Sequence, residues 1–511
     1  MKIRISIVST LCLGSIAFGQ GTLTPPGSPT PTMKTLDELD ESITQISNAV
    51  ENIEARIDLR TQTSNATAAE IVIYQPGSYY LTQNLIVNKD VGIYVNMDDV
   101  IIDLNGFTIK RSTSGGIGIE IPFNKSGVTV KNGTIRNFKT GINGKGTACS
   151  FEQLGFSECS SQGLAAGIAA QIKNCRAINN QGDGITALVG SSVEGCIAAN
   201  NGGKGILIDN GSSAINCTAR NNGSIGIQAS SACTLRQCVA TDNTSSGIKT
   251  SYGSTIIDCV ANKNGSTGFS ISAGCSIQNG VAMQNGGRGI YSVGSGCNLS
   301  SCLAQGNAND GIFLQSRSST IDCLATDNKG SYGIYINGAA QISGCVAAYN
   351  ESDSSNSSGL QVGSQSTVQD CVAWGNMSTY SPSGFFTGQG IQAETGSLVK
   401  NCSVSQNLGA GISASKGSQI VKNQCHYNGL YGANAPGIYL ESGGGSRIAD
   451  NLVTFNDYGI FITGSSTNLV FGNSASGNGA DYSLTGTIIK GTSITNNGTI
   501  SCKDSWANFE F

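Results

Sequence analysis

The sequence predicts an all-β fold, a right-handed parallel β-helix, on three observations: a 21-residue repeat, columns of identical small residues within it, and strand-type alternation inside each unit. The period is set by NCRAINN at 174–180, GCIAANN at 195–201, NCTARNN at 216–222, QCVATDN at 237–243 and DCVANKN at 258–264. It continues through Cys302, Cys323, Cys345, Cys371 and Cys402, after which Asn423, Asn451 and Asn473 take over the column. Two residues on sits Ala (Ala177, Ala198, Ala219), and five residues on sits Asn in every unit from Asn180 to Asn478. A Gly followed by an aliphatic or Phe then closes the unit, as in Gly205-Ile206 and Gly268-Phe269.

Each element follows from these columns. Val193, Cys196, Ala198, Ile206 and Ile208 alternate with polar residues, which is the period of a strand. A 21-residue unit of short strands cannot bury its apolar face alone, whereas stacked units can. Equivalent residues then lie ~4.8 Å apart, so an Asn column at a bend forms a hydrogen-bonded ladder and tolerates left-handed φ. The Cys column reads as packed, reduced thiols; disulfides such as Cys233 with Cys275, or Cys297 with a neighbour, and soft-metal binding are the alternatives. A further small-residue column (Ala170, Ser191, Ser212, Cys233) reads as packing. About sixteen or more coils of 21–22 residues run from Gly118 to Asn478, within a β-helix spanning 67–500 and closed by a tail or cap at 501–511.

The chain has 511 residues with 69 Gly, 12% charged residues and net charge −4, and it carries no basic stripe, so nucleic acid is excluded as a partner. Met1-Lys2-Ile3-Arg4, an apolar stretch and Ala17-Phe18-Gly19 form a signal peptide at 1–19, cut near Gly19 and followed by a linker at 20–32. No later apolar run is long enough to span a membrane, so the expected location is extracellular or periplasmic. Residues 33–60 read as a helix, with Leu36, Ile43, Val50 and Ile57 at one heptad position and Leu39, Ile46 and Ile53 at the other. That pattern is either a short coiled coil leaning towards a homotrimer or an amphipathic cap on the first coil.

QPGSYYLTQNLIVN at 75–88, DDVIIDLNGFTI at 98–109 and PTMKTLDE at 31–38 resemble secreted bacterial β-helix repeat proteins of the pectate-lyase-like superfamily. The resemblance implies the fold and leaves function open, because relatives include lyases, polygalacturonases, epimerases, tailspikes and periplasmic accessory proteins. The polygalacturonase set (NTD, DD, GHG, RIK) is absent apart from Asp98-Asp99, and the epimerase motif is half met by Tyr332-Gly333-Ile334 and Tyr458-Gly459-Ile460 with no DPH following. The lyase strings WiDH and RxPxxR are missing too.

Catalytic residues therefore stay unassigned. Hydrolysis needs two carboxylates about 5–10 Å apart, whereas Asp242 and Asp327, Asp258 and Asp322, and Asp183 and Asp310 stand several coils apart. Lyase chemistry needs a base and a cation, and the single His426 beside Tyr427 is the one candidate pair. No metal site or cofactor is indicated, calcium included. The gap between ladder Asn and bend Gly, four residues in most coils, widens at Asn350–Gly359, Asn376–Gly390 and Asn428–Gly437, three insertions from one bend. The same coils concentrate aromatics, which makes Tyr349, Trp374, Tyr380, Phe385, Phe386, His426, Tyr427 and Tyr431 the candidate ligand-binding set, joined by Phe455. Glu351, Asp353 and Glu394 are the expected acceptors for sugar hydroxyls. The expected function is a secreted or surface β-helix without catalysis that binds polysaccharide or cell-surface glycan or serves a structural role; the alternatives are a lyase or glycoside hydrolase with a non-standard site, and a periplasmic accessory protein.

Overall fold

The computed structural model describes residues 36–53, 56–62, 68–379, 387–430, 434–441, 443–464, 466–495 and 504–510. The expected signal peptide and linker lie outside them. The chain divides into two units, Met1–Ala55 and Arg56–Phe511.

The first unit contains one α-helix, Leu36–Ile53, with Asp37 and Glu38 in its first turn, where carboxylates meet the positive end of the helix dipole. Its Leu39 and Ile43 are exposed. The helix is shorter than expected: Arg56–Asp58 is already a strand, pairing Ile57 with Tyr79, so Ile57 belongs to the first coil and not to a heptad. The β-helix accordingly starts at 56 rather than 67. Among the described residues no helix is long and apolar enough to cross a membrane.

The second unit is a right-handed parallel solenoid of about 19 turns. A typical coil has three short strands, Gln171–Lys173, Arg176–Ile178 and Ile185–Ala187. Each pairs in parallel with its equivalent one coil on: Gln171 with Ser192, Arg176 with Ile197, Ile185 with Ile206. Their inward residues form one continuous buried core.

Three corners per coil share one device. A residue with left-handed φ (Ala169, Asn174, Asn179) precedes a buried ladder residue (Ala170, Cys175, Asn180). The ladder Asn does not take the positive φ itself, as the sequence suggested; its predecessor does, which turns the chain so that the Asn side chain points inward. Asn201 Oδ1 accepts the Asn180 backbone N–H (3.1 Å) and side-chain amide (2.9 Å), and Asn201 Nδ2 donates to Ala177 O at 3.0 Å. Each coil thus satisfies the corner N–H of the preceding one, which otherwise stays buried and unpaired.

The same logic corrects the reading of the other two columns as packing alone. The Ala170 and Ser191 N–H groups are accepted by Ser191 Oγ and Ser212 Oγ, both at 3.0 Å. The Cys175 N–H points at Cys196 Sγ (3.4 Å), whose thiol lies 3.3 Å from Glu194 O. Asn, Ser and Cys are interchangeable here because each is short and both donates and accepts. That is why Cys402 hands its column to Asn423, whose Oδ1 accepts the Cys402 N–H at 2.9 Å. All sixteen cysteines among the described residues are buried and free, so the Cys233–Cys275 and Cys297 bridges do not form. At the C-terminal end Asn508, in the strand Asn508–Glu510, occupies the next ladder place and accepts from Asn473. The tail is therefore a working last rung.

Candidate functional site

The corner that precedes the Asn ladder changes character in the C-terminal coils. From Asn179 to Asp327 its left-handed residue is Asn, Asp, Lys, Gln or Gly, types that reach this conformation at little cost or keep a long polar chain in solvent. From 349 onward it alternates between bulky aromatics, Tyr349 (φ 53°), Tyr427 (φ 50°) and Phe455 (φ 55°), and the Gly375, Gln406 and Gly477 of the remaining coils. These rings are 45%, 46% and 49% exposed, so the backbone holds bulky aromatics in a disfavoured conformation at the surface.

Neighbouring side chains join them into a strip. Tyr349 packs on Trp374 at a centroid distance of 4.5 Å, and Trp374 Nε1 donates to Gln406 Oε1 at 2.7 Å. Tyr427 stacks on Phe455 (5.1 Å, 16° between planes), and His426 meets both edge-on at 4.3 and 5.5 Å. His426 Nδ1 and Thr454 Oγ1 lie 2.6 Å apart. Trp374, Ser405, His426 and Thr454 are in register on successive coils, as the sequence reading placed them. Beside the strip a groove of about 350 Å³ is lined by Ser403, Ser405, Gln424, His426, Leu452 and Thr454.

The insertions leave the coil directly after this corner. The first two pair with each other through Glu351–Ser352 and Met377–Ser378, and the third is fixed where the Ala435 N–H donates to Asp457 Oδ2 at 3.0 Å. Burial pushes the Asp457 carboxyl above its usual range, against backbone hydrogen bonds from Ala435 and Asn434 that lower it. Tyr380, Phe385, Phe386 and Tyr431 lie outside the described residues. Of the expected acceptors, Asp353 is exposed on the first insertion, while Glu351 is engaged by Lys329. Glu394 is not in the strip: it follows the strand Gln389–Ala393, a full strand away from the corner, and accepts from Ser364 Oγ at 3.2 Å.

Sequence reading missed a second aromatic group, Tyr291, Phe313 and Tyr335, on the outer face of the third strands. Its signal is the residue between the two inward aliphatics, which is Leu207, Gln228, Lys249 and Ser270 in earlier coils and then aromatic in three consecutive ones.

A family described as periplasmic copper-binding protein (NosD) matches residues 375–505. Copper is not supported by the residues present: the single His426 is engaged by Thr454, Cys425 is buried, and no group of three or more His, Cys, Asp or Glu suited to a metal occurs among the described residues. The search of curated proteins found no match. Similar solved structures include the Dettilon tailspike protein (12% identity, 67% of this chain and 62% of that one, TM-score 0.31). Others are the A-module of the Azotobacter vinelandii mannuronan C-5 epimerase AlgE6 (16%, 81% and 89%, 0.22) and the pre-mature bacteriophage phi29 gene product 12 (10%, 85% and 75%, 0.38). This chain thus spans less than two thirds of the tailspike's length. The model of the right handed beta helix region matches 69–222, 165–303 and 288–435, together more than half of the sequence, and with the parallel ladders above it makes this chain a member of the right-handed β-helix family.

Proposed function

We propose that this is an exported β-helix that binds a polysaccharide or cell-surface glycan along the corner strip from Tyr349 to Phe455, without catalysing its cleavage. The observation that carries the reading is the set of aromatics in left-handed conformations: Asn or Gly fits those positions with less strain, so the rings are kept for what they touch outside the protein. The paired rings of Tyr349 with Trp374 and of Tyr427 with Phe455, separated by the ringless coil of Ser405 and Gln406, suit the apolar faces of sugars spaced along a chain, and the insertions beside them supply walls. The basic and apolar N-terminal segment at 1–19 and the periplasmic description of the family matching 375–505 support export.

A lyase is the second reading, favoured by the His426–Tyr427 contact at 4.3 Å. A glycan array on the mature chain, run beside an assay for unsaturated and reducing sugar ends, tests both. The expected result is binding without product, lost in Trp374→Ala and Tyr427→Ala while the melting temperature moves by only a few degrees. Binding retained in the double variant overturns the strip as the site, and product that disappears in His426→Ala favours the lyase.

A further inference from the structure

The outer face of the third strands carries a second and differently built site. Tyr291, Phe313 and Tyr335 lie in register on three consecutive coils, with ring centroids 5.7 and 4.7 Å apart, and Tyr332 stacks on Tyr335 at 4.7 Å. Arg288 lies against this platform, its guanidinium carbon 4.7 Å from the Tyr291 ring and 4.2 Å from the Phe313 ring. Its Nε donates to Asp310 Oδ2 at 2.8 Å. Asp310, with a side chain only 4% exposed, is fixed in turn by the Tyr332 N–H on Oδ1 at 3.1 Å. The guanidinium is thereby held at Nε, while its side chain is 30% exposed and its other N–H groups have no acceptor among the described residues.

The phenols point the same way. Two tyrosines elsewhere in the solenoid bond their hydroxyls to the backbone, Tyr79 to Gln75 O at 2.8 Å and Tyr482 to Asn473 O at 3.2 Å. The hydroxyls of Tyr291, Tyr332 and Tyr335 have no partner among the described residues. Half-buried rings, three unpartnered hydroxyls and an oriented, partly desolvated guanidinium form an apolar platform with a few converging polar groups, the usual make-up of a ligand site. A guanidinium fixed at one edge offers its remaining fork to a carboxylate, a geometry that a lysine does not reproduce.

From this geometry we infer that the platform binds an acidic saccharide, with a sugar carboxylate on Arg288 and the ring face on the aromatics. Glu394, whose charge is felt at Tyr335, sits towards the opposite end and sets the direction: the carboxylate goes to Arg288. The site is independent of the corner strip, which holds no arginine among its members.

The test is titration calorimetry of the mature chain with oligogalacturonates, with the same oligomers methyl-esterified, and with heparin oligosaccharides. Arg288→Ala leaves Asp310 buried and unpaired and risks unfolding, so Arg288→Lys and Tyr291→Ala/Tyr335→Ala carry the test. The expected result is binding of the free acid, weakened about tenfold by esterification, by Arg288→Lys and by the aromatic double variant, with thermal unfolding unchanged in Arg288→Lys. Trp374→Ala leaves this binding intact, which separates the two sites. No binding of the free acid, equal binding of acid and ester, heparin binding that the aromatic double variant leaves unchanged, or indifference to Arg288→Lys overturns the inference.

Discussion

The coils from 170 to 348 and those from 349 to 478 use the same inner ladder and opposite outer corners. Inside, Asn180 and Asn428 do the same work: Asn180 Oδ1 accepts the Cys159 N–H (3.0 Å) and Asn428 Oδ1 the Asn407 N–H (3.3 Å). Outside, the residue just before the ladder is never aromatic in the first region, as at Asn200 and Asn221, whereas in the second Tyr349, Tyr427 and Phe455 alternate with Gly375, Gln406 and Gly477. The inner position is dictated by the chain's own hydrogen bonds, so it repeats. The outer one is free of that duty, and its departures from the residue the backbone prefers are what the proposed glycan strip rests on.

The ladders also differ in composition, and this gives the largest expected effect. The Cys column holds thiols through Cys402, with Gly280 as the one exception between Cys259 and Cys302, and amides from Asn423 onward. Burial pushes the Cys159 thiol from 9.0 up to about 11, and Cys196 rises to about 12 through its bond with the Cys175 thiol, its bond with Cys217 acting the other way and burial adding to the rise. A raised folded-state value means that native thiols keep their protons while unfolded ones ionise. Stability is therefore intact below pH 9 and falls as pH rises through about 11. Each thiol raised in this way contributes a slope of up to ~1.4 kcal/mol per pH unit, whereas Cys302, Cys345 and Cys402, lowered chiefly by hydrogen bonds from neighbouring thiols, do not add to it. Urea midpoints between pH 8 and 11 should fall, and hydrogen exchange should open the thiol-rich coils before those around Asn451. A flat profile would show that the thiols are not buried as protonated ladder members.

Next in size is the ladder itself. Asn264→Ala removes the acceptor of the Asn243 N–H (3.2 Å), leaving that donor buried and unpaired, and takes away the second donor to Ala240 O (3.0 Å). The expected loss is about 3–5 kcal/mol. Ile248→Ala in the core should lose about 2–5 kcal/mol. Ser364→Ala, whose hydroxyl meets only the exposed Glu394, should stay within about 0.5 kcal/mol. Equal shifts at all three in chemical denaturation would contradict the assigned faces.

How far the sequence speaks follows from the same division. The Asn, Cys and Ala columns were legible because hydrogen bonding and burial fix them once per coil, and a period survives insertions of a few residues. The left-handed corner was read one residue too late, since an Asn column fits both a positive φ and an inward ladder, and only the backbone separates them. Trp374 and His426 could be placed in one column because register follows from the period. Arg288 was not found, because its partners Asp310 and Phe313 lie one coil on and the pairing depends on a side-chain path rather than on a column. Glu394 was misplaced for the converse reason: the insertions drew attention to their coils without saying on which side of a coil a carboxylate lies.

The smallest effect is the most discriminating between the two regions. Tyr427→Asn replaces a strained aromatic by a residue at ease with left-handed φ, a gain of about 1 kcal/mol. It also loses the stacking on Phe455, worth about 0.5–1.5 kcal/mol, so the net change in stability is near zero. The reciprocal change, Asn221→Tyr, brings the same strain to a corner flanked by Asn200 and Asp242, with no ring to stack on, and should cost about 1–2 kcal/mol. If the ring at 427 exists for a glycan, Tyr427→Asn melts like the parent chain and no longer binds on the array. If Tyr427→Asn loses as much stability as Asn264→Ala, the ring is part of the packing that holds the insertions, and the contrast between the two regions is one of architecture alone.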